Sequence, residues 1–152
     1  MRALVLSTVF ALAASPALSQ GMAESLELSR EAVNNQKRAM VAGSLPLSDE
    51  QADAFWPLFD KFQAELKKLD DRSDRLITEF SAEYANLTDA RARALLDESL
   101  AIEEDRAKLL RQWVKRMEKA LPSRLLARYF QLENKFHAVV AADLAQQIPL
   151  VP

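Results

Sequence analysis

From Ala52 onward, apolar residues recur every three or four positions: Ala52, Phe55, Phe59, Phe62, Leu66, Leu69, Leu76, Phe80, Tyr84 and Leu87. Ser73 is the one polar interruption. Such spacing puts all these side chains on one stripe of an α-helix, and held this long it describes a heptad seam. The segment opens with Leu47-Ser48-Asp49-Glu50-Gln51. Ser48 at the N-cap and Gln51 at N3 form a capping box, and Asp49, Glu50 and Asp53 sit where the helix dipole favours negative charge. Pro57 removes one intrahelical hydrogen bond and predicts a kink near the second turn.

A second long helix is predicted from Asp89 to Leu121, with Thr88 as its cap and Ala92, Leu95, Leu96, Leu100, Ile102, Leu109, Leu110, Trp113, Val114 and Met117 among its apolar positions. Pro122 should end it at the preceding residue. A closing helix follows over 124–147, on Leu125, Tyr129, Leu132, Phe136, Val140 and Leu144. An opening helix is read over 23–42, ending in Gly43 as a C′ residue. The connection at Asn86-Leu87-Thr88 is short, so the two long helices should fold back antiparallel. Asn86-Leu87-Thr88 also fits the N-glycosylation pattern, but Asn and Thr there serve a turn and a cap.

Charge supports the hairpin. Asp49, Glu50, Asp53, Asp60 and Glu65 crowd the start of one arm, while Arg106, Lys108, Arg111, Lys115, Arg116 and Lys119 crowd the end of the other. Folding at Leu87 and Thr88 brings the acidic start against the basic end, and each sign suits its own helix dipole. The fold class is therefore all-α: a long antiparallel helical hairpin with an N-terminal and a C-terminal packing helix. Residues 20–152 read as a single domain. A hairpin this long has little interior, so its stripe needs cover from the flanking helices, a client or a second copy; a homodimer is expected.

Residues 1–19 read differently. Arg2 precedes an apolar run from Ala3 to Ala14, broken by Pro16, and Ala17-Leu18-Ser19 offers small residues at a cleavage site. This is the pattern of a secretory signal peptide, and the run is shorter than the ~20 residues that span a bilayer. The expectation is export to the periplasm with no stable membrane anchor.

Composition narrows the chemistry. The chain has no cysteine, two glycines and one histidine, with a net charge of −2. That excludes disulfides, thiolate metal sites, cysteine nucleophiles and Gly-rich phosphate loops. Glu133 and His137 lie one turn apart, but a single Glu-x-x-x-His without further histidines reads as surface chemistry, not a metal site. Asp70-Asp71 and Glu103-Glu104 point about 100° apart on a helix and cannot converge; Asp71–Arg75 and Glu104–Lys108 are read as i,i+4 ion pairs. The basic stretch from Arg106 to Arg128 is read as neutralised by the opposing arm, and no nucleic acid is expected. No nucleophile–base arrangement is present, so the chain reads as a non-enzyme without cofactors. Phe55, Trp56, Phe59, Phe62, Trp113, Tyr129 and Phe130 have two readings, core packing or anchors for a client or partner protein.

Leu47, Ser48 and Gln51 look like the first LTxxQ box of the Spy/CpxP group of periplasmic stress proteins, with Ser for Thr. The layout is also similar: leader, N-terminal helix, box, hairpin and closing helix. Where that family places a second box, this chain reads Leu121-Pro122-Ser123-Arg124-Leu125, keeping the Leu and a hydroxyl cap but not the Gln. The resemblance implies an ATP-independent holdase or envelope-stress protein acting as an antiparallel dimer on exposed apolar segments. The alternative is a regulatory protein with one dedicated envelope partner.

Overall fold

The computed structural model describes residues 36–152, together with Glu24 and Leu28. The expected leader over 1–19 and most of the opening helix lie outside the described residues. Within them every regular element is a helix. Residues 36–44 form α1, followed by α2 (Asp49–Glu83), a 3₁₀ turn (Tyr84–Asn86), α3 (Asp89–Met117) and α4 (Ser123–Gln147).

The capping box forms as the sequence predicts. Gln51 N–H donates to Ser48 Oγ at 3.3 Å, and Ser48 N–H donates to Gln51 Oε1 at 3.1 Å. Thr88 caps α3 by accepting from Arg91 N–H. Helix α2 runs as one element through Pro57, which faces solvent. At 35 residues it is about 50 Å long.

Three boundaries differ from the sequence reading. Gly43 lies inside the last turn of α1, and no glycine among the described residues has a positive φ, so it is not a left-handed C′ residue. Helix α3 stops at Met117, and Leu121 N–H closes the turn on Met117 C=O, so the chain turns before Pro122 demands it. The N-cap of α4 is Pro122, and Ser123 is the first helical residue, so the hydroxyl of the second box caps nothing.

Helices α2 and α3 pack antiparallel over their length. A ladder of polar contacts marks the register: Arg91 to Glu83 and Glu79, Arg72 to Glu98 and Asp105, Arg106 to Asp70, and Trp113 to Glu65. This is the register that folding at Leu87 and Thr88 dictates. The expected neutralisation, however, is incomplete. Between Arg111 and Arg128 only Arg116 forms an ion pair, with Glu65, and Asp49, Glu50 and Asp53 form none among the described residues. The chain leaves α3 before reaching the level of these acids. Asp71 pairs with Lys67 behind it, not with Arg75, while Glu104–Lys108 forms as expected.

Helix α4 runs back parallel to α2. Tyr129 meets Phe55, Phe130 meets Phe62, and Val140 and Leu144 meet Ile77. The main core therefore sits at one end, where α1, α2, α4 and the end of α3 converge on Val41, Phe55, Phe62, Trp113, Met117 and Tyr129. Farther along, Ile77 replaces the expected Leu76 in the interior because α4 covers that flank of α2.

Candidate partner-binding surface

The seven aromatic residues with two readings fall on both sides of the protein surface. Phe55, Phe59, Phe62, Trp113 and Tyr129 are buried; Trp56 and Phe130 are half-buried. The rings interlock edge to face. Phe55 and Tyr129 have centroids 5.1 Å apart, Phe62 and Trp113 5.5 Å, and Phe62 and Phe130 5.7 Å. Such geometry adds to plain area burial. Trp113 Nε1–H donates to Glu65 at 2.8 Å, which satisfies the indole and ties α3 to α2. The Arg38 guanidinium lies 4.4 Å over Trp56 and covers its exposed face.

A polar network that periodicity did not reveal crosses this core. Lys37 Nζ donates to Gln63 Oε1 at 2.9 Å and to Glu133 Oε2 at 3.4 Å. Gln63 Nε2 donates to Glu133 Oε1 at 3.0 Å and to the Tyr129 hydroxyl at 3.1 Å. Lys37 and Glu133 are both buried. The amide matches both neighbours, its oxygen facing the ammonium and its nitrogen the carboxylate. Burial, and then the charge of Glu133, push the Tyr129 phenol far above its ordinary value. Both Glu133 oxygens are thus occupied in holding α1, α2 and α4 together. A signal was present: Glu133 stands on the buried stripe Leu126-Tyr129-Glu133-Phe136-Val140, where a carboxylate demands a partner.

What remains open lies between α3 and α4. A groove of about 460 Å³ has Leu66 on its floor, with Leu110 and Val114 on the α3 side and Phe130, Asn134 and His137 on the α4 side. Its lining is mainly apolar. Arg106 also lines it, anchored by its guanidinium to Asp70, while its buried Nε has no hydrogen-bond partner among the described residues. Along α3 the groove wall continues in steps of three or four through Ala107 and Glu103 to Leu100 and Leu96, which are 60% and 52% exposed. The sequence reading placed both leucines on the apolar pattern. They belong to a second stripe, turned away from the α2-facing stripe of Leu95, Ile102, Trp113 and Met117.

No group of three or more His, Cys, Asp or Glu side chains that could hold a metal occurs among the described residues. No helix among them is long and apolar enough to cross a membrane. No family model, no curated protein and no solved structure matches this chain.

Proposed function

We propose that this protein is an exported, ATP-independent holdase that shields apolar segments of other proteins. The observation that carries the reading is the pair of exposed leucines, Leu100 and Leu96, on the second stripe of α3, one turn beyond the largely apolar α3/α4 groove that Glu103 borders. Exposed leucines beside a preformed, mainly apolar groove mark a surface that gains by covering something. The Ser48–Gln51 box and the hairpin layout, which resemble the Spy/CpxP group, support the same reading, as does the leader-like pattern of residues 1–19 for a periplasmic location. A dimer would give such a surface two copies to engage one client. No enzymatic step is assigned, since the buried carboxylate and phenol are engaged in structure.

The second reading is a regulatory protein with one dedicated partner, whose helix would lie in the same groove. Two experiments separate the possibilities. Light scattering from an unrelated aggregating protein, without ATP, should fall when the purified protein is present near equimolar ratio. A pull-down from an envelope extract should then recover many proteins; recovery of one protein, with no suppression of scattering, selects the dedicated-partner reading.

A further inference from the structure

The outer face of α4 carries a cluster of cations that the hairpin does not neutralise. Arg124, Arg128 and Lys135, with Gln131 between them, line a cleft of about 640 Å³, with Ala127 in its wall and Ser44 of α1 at its edge. None of these three cations forms an ion pair among the described residues, whereas Arg72, Arg91 and Arg106 are each held by carboxylates. The only carboxylates on α4 are Glu133, buried and committed to Lys37 and Gln63, and Asp143, two turns beyond Lys135.

We propose that this cleft is a binding site for a phosphate-bearing anion carrying two or more negative charges. Spacings of four, three and four residues put the four side chains on one face of the helix. They extend over about 16 Å of its axis, within which flexible Arg and Lys side chains can close on one ligand. Arg124 and Arg128, one turn apart, repel each other, and Arg124 also sits at the positive end of the helix dipole. An anion between them relieves both conflicts. Two guanidinium forks, an ammonium and an amide supply more donors than one planar carboxylate can accept; the oxygens of a phosphate or diphosphate group match them. Ala127 leaves room beside the forks. The site is separate from the α3/α4 groove and stands independently of the holdase reading.

The test is calorimetric titration of the purified protein with inorganic pyrophosphate at low and at moderate salt. Saturable binding is expected, weaker at the higher salt, with at least a tenfold loss of affinity in Arg124→Ala/Arg128→Ala. The charge-matched control Lys61→Ala/Lys68→Ala should bind as the parent does, with circular dichroism confirming that both variants fold. Flotation with phosphatidylcholine vesicles containing phosphatidic acid then distinguishes the source. Vesicle binding that pyrophosphate displaces supports the site with a lipid headgroup as ligand. Pyrophosphate binding without vesicle binding supports it with a soluble organic phosphate. Absence of saturable pyrophosphate binding, equal loss in the control variant, or equally tight binding of a polyglutamate peptide would overturn the proposal.

Discussion

The two ends of the hairpin are held by different forces. At the end where α1 and α4 pack, large side chains close a core: Trp113, Tyr129, Phe55, Phe62 and Met117 are almost fully buried. Toward the turn at Leu87, only Leu69, Ile77, Leu95 and Ile102 are buried on α2 and α3, and the arms are laced by Arg72 and Arg91 to four carboxylates. Burial at ~25 cal/mol per Å² outweighs half-exposed ion pairs at about 0–1 kcal/mol each. The first end should therefore set global stability, and the second should open locally at lower free energy. The exposed leucines Leu96 and Leu100 lie on the weaker end.

The sharpest way to break this comparison is at the core. Trp113→Ala removes the largest buried ring and leaves Glu65 without its indole partner, so a loss of about 3–5 kcal/mol is expected in chemical denaturation. Glu133→Ala should cost about 3 kcal/mol, because it strands the buried Lys37 ammonium beside Gln63. The double change Lys37→Met/Glu133→Leu should recover most of that loss, which separates the cost of an unpaired charge from the worth of the pair.

Titration distinguishes the two ends as well. The Tyr129 phenol stays protonated in the fold above its ordinary value, so its contribution is complete below about pH 10 and declines as pH rises further. Tyr129→Phe should flatten that alkaline limb in a pH series of thermal melts. In the hairpin, the hydrogen bond from Arg72 holds the Asp105 carboxyl below its usual range. Its contribution is present above about pH 4 and fades as pH falls through the lowered value. Arg72→Ala should flatten the acid limb and leave the alkaline one alone.

Smaller effects sharpen the same contrast. Gly43→Ala should stabilise by about 0.5–1 kcal/mol, since the glycine is helical and a Cβ there meets nothing within 4 Å. A loss instead would restore the left-handed C′ role that its sequence position suggested. Arg91→Ala, at the turn end, should cost the least of these changes, and less still in high salt.

Much of this architecture was legible in the sequence because local signals carry it. The Ser48–Gln51 box, the Thr88 cap and the unbroken seam through Leu69 each follow from spacing alone, and so does the register of Arg106 on Asp70. What escaped was set by tertiary packing. Leu96 and Leu100 satisfy helical periodicity as well as Leu95 and Ile102 do, and only the placement of α2 and α4 decides which of them is covered. The Lys37–Gln63–Glu133 network joins residues from three helices, so no window of sequence contains it. Arg124 and Arg128, which have no ion-pair partner among the described residues, were hidden by reading the whole stretch from Arg106 to Arg128 as neutralised by the opposing arm; α3 ends at Met117, before either of them.

The division between a closed aromatic core and an open α3 stripe is tested most directly by aggregation suppression in Leu96→Ser/Leu100→Ser. The expected result is a protein with an unchanged melting temperature, within about 0.5 kcal/mol of the parent as for ordinary surface substitutions, that has lost most of its suppression of light scattering. Undiminished suppression from that variant, at parental stability, would contradict the assignment and put the binding surface elsewhere.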